Sequence, residues 1–155
     1  MKKLIIIVIT LFFLNNCGYS PIYSSKNNNF YLKEISVKNK NKINSKIENT
    51  IKKFSNQNSE RIITLEISSD KKIDIISKDK KGDPSIFNMT IILTLKILSK
   101  NNYEVNKITS FTESFKYNNN SNKFSLKQYE KEIEDTLVNK IVEKSILYFS
   151  ELQKW

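Results

Sequence analysis

The chain of 155 residues has no histidine and no alanine, a single cysteine, a single arginine, two glycines and two prolines. Without histidine it lacks the commonest general base and metal ligand available near neutral pH. Two glycines are too few for a Gly-rich phosphate loop, and no pair of carboxylates recurs near a plausible pocket wall. Glu130, Glu132, Glu134 and Asp135 do gather on one stretch, where they read as a solvated helix face with favourable charge near a helix N-terminus. With one thiol no internal disulfide can form, so stability has to come from packing. These absences lead us to expect no enzyme, no metal and no diffusible cofactor. Long apolar runs are missing too: Leu4 to Leu14, apolar apart from Thr10, covers 11 residues, far short of the roughly 20 that span a bilayer as a helix.

That short run has another meaning. It follows Met1-Lys2-Lys3 and ends just before Cys17, the layout of a secretory leader. Leu14-Asn15-Asn16-Cys17 reads as a lipobox, in which the Cys17 sulfur takes a diacylglycerol and the new N-terminus is acylated after the cut. One acyl chain holds a membrane only marginally, at about 0.8 kcal/mol per buried methylene, so several chains are needed for a stable anchor. Asn16 stands where a lipobox ordinarily has Gly, Ala or Ser. The competing reading is a secreted protein cut elsewhere, or a leader kept as a short anchor, but a chain without alanine offers no Ala-x-Ala site. Residues 1–16 are thus expected to be a cleaved signal peptide, 17–29 a lipidated tether and 30–155 a single domain. Gly18, where inner-membrane lipoproteins often have Asp, favours the outer membrane, with the domain on its periplasmic side.

Taking 16 residues from 155 leaves 139, enough for one real core. The formal charge of +10 falls to +8 with the loss of Lys2 and Lys3, which invites a polyanionic partner such as lipopolysaccharide or anionic lipid. Composition supplies a blander cause. Arg61 is the only arginine among 26 basic residues, and abundant Lys, Asn and Ile without Ala mark an AT-rich genome. Lysine is also the poorer residue for bidentate phosphate recognition. A secreted address argues against nucleic acid.

Hydrophobic periodicity gives the order β-α-β-β-β-α. Phe30 to Val37 alternates, with Leu32 on one parity and Tyr31, Ile35 and Val37 on the other. Ile43, Ile47, Ile51 and Phe54 recur at helical spacing. Arg61 to Ser77 returns to period two, with Ile63, Leu65, Ile67, Ile73 and Ile75 on one parity. Lys78 to Pro84 reads as a turn, in which Gly82 can take positive φ and Pro84 stops strand pairing. Ser85 to Leu98 is the cleanest strand, expected at the centre of a sheet with one face buried. Asn101-Asn102 marks a hairpin, and Tyr103 to Tyr117 a fourth strand. Ser125 and Gln128 form a capping-box pattern ahead of Leu126, Tyr129, Ile133, Leu137, Ile141, Ser145 and Tyr148. One-faced helices and a one-faced sheet bury each other, so an α+β two-layer sandwich is expected: a four-stranded sheet with two helices packed on one face.

Cys17-Gly18-Tyr19-Ser20-Pro21-Ile22-Tyr23 resembles the Cys-Gly-aromatic-x-Pro-Leu-Tyr start of alphaproteobacterial lipopolysaccharide-assembly lipoproteins of the LptE type. The element order resembles that family over essentially the whole mature chain, as do the basic turn before the long third strand and the Glu-containing last helix. Ile22 replaces the usual Leu. The resemblance implies a non-enzymatic outer-membrane lipoprotein that binds the large lipopolysaccharide-assembly β-barrel, stands partly in its lumen as a plug, assists its folding and helps deliver lipopolysaccharide to the outer leaflet.

Two segments are candidates for contacts with the barrel or lipopolysaccharide. Tyr19, Pro21, Ile22 and Tyr23 make the tether more apolar than an idle linker, although packing on the domain itself explains them equally well. Lys78, Lys80 and Lys81 form a basic tip for lipid A phosphates or acidic lumen residues, against the simpler reading of a solvated turn that keeps a hairpin soluble. Arg61 reads as a strand-edge charge rather than an anion contact. A different class, a lipid- or peptide-binding carrier or chaperone lipoprotein, needs an apolar cavity between sheet and helices, which Phe111, Phe115, Tyr117, Phe124 and Tyr148 would line. A purely structural lipoprotein bound to peptidoglycan has no repeat or cell-wall motif in its favour.

Overall fold

The computed structural model describes residues 30–98 and 105–152. The leader, Cys17, the tether with Tyr19, Pro21 and Tyr23, the Asn101-Asn102 turn and the start of the fourth strand at Tyr103 lie outside the described residues. Within them the order is β1 (Tyr31–Val37), α1 (Lys42–Lys53), β2 (Ile62–Lys78), β3 (Pro84–Leu98), β4 (Val105–Asn118) and α2 (Lys123–Glu151). The strands form one sheet in the order β1-β2-β3-β4. β1 runs parallel to β2 through the α1 crossover, and the other two pairs are antiparallel. Both helices pack on one face, giving the α+β two-layer sandwich that the periodicity predicts.

β3 shows most plainly why the sheet is one-faced. Met89, Ile91, Leu93 and Leu95 are fully buried, and the residues between them are not. They lie beside Ile63, Leu65 and Ile67 of β2 and beneath Leu137 and Ile141 of α2 in one continuous core. In α1, Ile43, Ile47 and Ile51 are buried, each contributing about 1.5–3 kcal/mol relative to exposure. Asn41 caps that helix, its side chain accepting the Asn44 N–H at 2.7 Å.

The structure corrects several details of the sequence reading. The parity of β1 breaks at Lys33, where a bulge lies between Leu32 and Glu34. The extra residue lets Leu32 and Ile35, of opposite parity, both pack toward the core. Pro84 pairs with Lys78 rather than stopping the ladder, because a strand's first residue tolerates a missing N–H. The last helix is capped by Asn122, whose side-chain oxygen accepts from Phe124 N and Ser125 N at 3.1 Å, and not by Ser125. Asn122 is inconspicuous within an Asn-rich loop, yet asparagine caps as well as serine does. Past Leu137, the buried stripe of α2 doubles: Val138, Val142, Ile146 and Phe149 join Leu137, Ile141 and Ser145, and α2 packs on α1 as well as on the sheet.

The acidic stretch on α2 is not simply a solvated face. Asp135 accepts from Lys46 of α1 at 2.8 Å, Glu134 from Lys71 of β2 at 2.6 Å, and Glu130 from the Tyr117 hydroxyl of β4 at 2.7 Å. Glu132 alone of the four is left on the exposed side. These carboxylates fasten α2 to three different elements, which one-dimensional spacing cannot reveal.

Candidate functional site

The domain has two unlike ends. Residue 30, from which the N-terminal segment continues, lies at the end where β2 begins, since Tyr31 pairs with Ile62. The C-terminus of α2 is at this end too. The Phe30 and Phe149 rings meet at 5.2 Å, and the Arg61 Nη1 donates to the Phe149 carbonyl at 3.4 Å. Arg61 thus meets the negative end of the helix dipole, a structural role that accounts for the lone arginine.

The β2–β3 turn is at the other end, about 55 Å along a strand of 17 residues. Asp79 organises it: its carboxylate accepts the Lys81 and Asp83 N–H groups at 2.8 and 2.9 Å. Gly82 supplies the φ of 88° that closes the turn. Lys78, Lys80 and Lys81 are all exposed around it. Sequence reasoning missed that the β4–α2 connection arrives at the same place. Asn119 donates from its backbone to the Ser85 carbonyl at 2.9 Å and from its side chain to the Pro84 carbonyl at 2.7 Å. Lys116 pairs across from Asn88, and the Lys123 ammonium reaches Asn119 Oδ1 at 3.4 Å. Five lysines therefore share this end with Asp74, Asp79 and Asp83. Only strand register brings them together.

Apolar and aromatic groups accompany the charge. Ile73, Ile75 and Ile76 are 40 to 50% exposed, and Phe124 is 70% exposed. A cleft of about 650 Å³ opens between the β4–α2 connection and the first turns of α2, walled by Lys116, Tyr117, Asn118, Asn120, Ser125 and Tyr129. Burial, followed by the bond to Glu130, pushes the Tyr117 phenol above its ordinary range, so it remains a neutral donor. Chemically, this end offers ammonium groups and amides to an anion, and isoleucine and aromatic surface to a hydrocarbon.

The five aromatic residues expected to line a carrier's cavity do not line one together. Phe111 packs edge-on against Tyr148 with ring centroids 5.7 Å apart. Tyr117 is buried against Phe87 at 5.6 Å, and Phe115 and Phe124 are exposed at separate places. Among the described residues no cluster of His, Cys, Asp and Glu has metal-binding geometry, and no helix is long and apolar enough to cross a membrane.

Solved structures share this architecture. An uncharacterized lipoprotein B from Nitrosomonas europaea superimposes with a TM-score of 0.59 at 14% identity, over 80% of this chain and 84% of that one. A minor lipoprotein from Acinetobacter baumannii gives 0.61 at 9% identity, over 81% and 93%. The rare lipoprotein B from Shewanella oneidensis gives 0.52 at 8% identity, over 74% and 91%. At such identities the likeness is one of fold: this chain has a fold that these lipoproteins also have. No protein-family model and no curated protein sequence matches it.

Proposed function

We propose that the protein is a lipid-anchored, non-enzymatic component of the outer membrane that binds the lipopolysaccharide-assembly β-barrel from the periplasmic side, plugs it, and assists its folding and the insertion of lipopolysaccharide. The observation that carries this reading is a join. A short apolar leader followed by Cys17-Gly18-Tyr19-Ser20-Pro21-Ile22-Tyr23 precedes a domain with the fold seen in several lipoproteins. In this reading Cys17 carries the N-acyl and S-diacylglycerol groups and serves as the anchor. Tyr19, Pro21 and Tyr23 lie against the barrel where the tether leaves the membrane. Lys78, Lys80 and Lys81, joined by Lys116 and Lys123, meet lipid A phosphates or acidic lumen residues at the far end, and no nucleic acid is involved.

The test is an affinity pull-down of the C-terminally tagged protein from detergent-solubilised outer membranes, with partners identified by mass spectrometry and intact mass measured. The reading expects a stoichiometric large β-barrel and a mass increase equal to three acyl chains plus the glyceryl unit at Cys17. A lipidated protein recovered alone would overturn the plug role, and a bare Cys17 would overturn the anchor.

A further inference from the structure

β1 stops long before β2 does. Their pairing ends at Val37 opposite Ile67, while β2 continues to Lys78. Beyond Ile67, β2 is bonded to β3 alone among the described residues. On the β1 side, Arg61 gives its carbonyl to Tyr31 N at 2.7 Å and Ile67 gives its carbonyl to Lys38 N at 3.0 Å. Backbone groups alternate between the two sides of a strand. Lys71, Ile73 and Ile75 therefore turn their N–H and C=O groups toward the side that no described strand occupies. Their edge is also apolar in part, with Ile73 40% and Ile75 50% exposed. An edge of this kind is a template for another strand unless charges oppose it. Here the flanking charges, Lys72 and Asp74, form an ion pair at 2.8 Å on the sheet's outer face.

We infer that this edge pairs with the same edge of a second copy of the chain, antiparallel, about a two-fold axis at Ile73. Residues directly opposite in an antiparallel pair share a face, and like charges placed there are destabilising. With the axis at Ile73, Lys72 faces Asp74 of the second copy, Asp74 faces Lys72, and Lys71 faces Ile75. Ile73 meets its own counterpart, and each isoleucine gains apolar cover. Other registers lose this complementarity. An axis at Lys72 sets Lys72 against itself, and one at Asp74 sets Asp74 against itself. An axis at Lys71 opposes two Lys71 side chains and drives the second copy into Ile67, whose carbonyl is already taken. An axis at Ile75 sets Lys72 against Lys78 and places the irregularity between Ile75 and Ser77 at the centre. Lys72-Ile73-Asp74 is self-complementary in that one register, where the contact closes as an isologous dimer. The inference rests on strand geometry and charge and does not depend on the proposed function.

Sedimentation velocity on the full chain purified in detergent tests it, with Lys72→Asp and Asp74→Lys as the variants. Lys72 is largely exposed and Asp74 two-fifths exposed, so both variants should fold, which circular dichroism checks. Wild type is expected to show concentration-dependent dimer. Each variant alone opposes like charges across both symmetric contacts and should associate about tenfold more weakly. An equimolar mixture should recover the dimer, because the paired carboxylates of the first variant then face the paired ammonium groups of the second. A wild type monomeric at all attainable concentrations overturns the inference, as does a mixture that associates no better than its components. A monomer whose edge becomes protected from hydrogen exchange only in the presence of the purified β-barrel would assign the edge to that partner instead.

Discussion

Where residue 30 enters, β2 has β1 beside it, α1 packed on its inner face and the double-striped half of α2 against both. Toward the turn, among the described residues, the same strand has β3 as its only strand neighbour and is tied to α2 by the Lys71–Glu134 ion pair. The hydrophobic pattern of β2 does not register this difference: Ile63, Leu65, Ile67, Ile73 and Ile75 share one parity, yet the first three are buried and the last two are not. Periodicity reports which face an isoleucine is on. How much of that face is covered depends on the lengths of partners that come from elsewhere in the chain. The closed end holds the fold together, and the open end carries exposed isoleucine, aromatic and lysine side chains in one place.

Substitutions at the two ends should therefore behave differently. The largest effect is expected for Phe149→Ala, which removes a fully buried ring packed on Phe30. Urea unfolding should show a loss of about 3–5 kcal/mol. Asn122→Ala, which uncaps the helix where it begins to cover the open end, should cost about 1 kcal/mol. Hydrogen exchange should localise that loss to the first turns of α2 rather than to its C-terminal half.

Lys46→Met probes the tie between the helices. The hydrogen bond from Lys46 is the main cause that holds the Asp135 carboxyl below its ordinary value of 3.8, with desolvation opposing it and Lys46, Lys131 and Lys42 adding electrostatic support. A carboxyl whose folded value is lowered stabilises the fold above its unfolded value and loses that contribution as pH falls through the folded one. The two side chains are 36% and 49% exposed, so the difference between wild type and variant should be only a few tenths of a kcal/mol. It should be present near neutral pH and vanish in acid as pH falls through the lowered folded value of Asp135. Smallest of all should be Ile75→Ser at the open end, within about 0.5 kcal/mol in the same urea assay. A loss there as large as that of Phe149→Ala would erase the distinction between the two ends.

The strand and helix order was legible because each element is one-faced and its apolar period is clean. The bulge at Lys33 was foreshadowed only by the parity mismatch between Leu32 and Ile35. Asn122 as a cap was hidden by its asparagine neighbours, and the second row of α2 by reading one stripe where two partners demand two. Of the candidate site, Lys78, Lys80 and Lys81 were visible as a turn. Lys116 and Lys123 were not, since they are about 40 residues further along and arrive through the pairing of β3 with β4. Likewise, nothing in the spacing of Glu130, Glu134 and Asp135 says that each bonds a different element.

The central claim is that the open end, remote from residue 30, is the working surface. Site-specific photo-crosslinking in intact cells tests it most directly, with the photoreactive side chain placed at Lys80 in one strain and at Lys52 on α1 in another. The account predicts that Lys80 captures the lipopolysaccharide-assembly β-barrel or lipopolysaccharide while Lys52 captures neither. Equal capture from both positions, or capture from Lys52 alone, would contradict it.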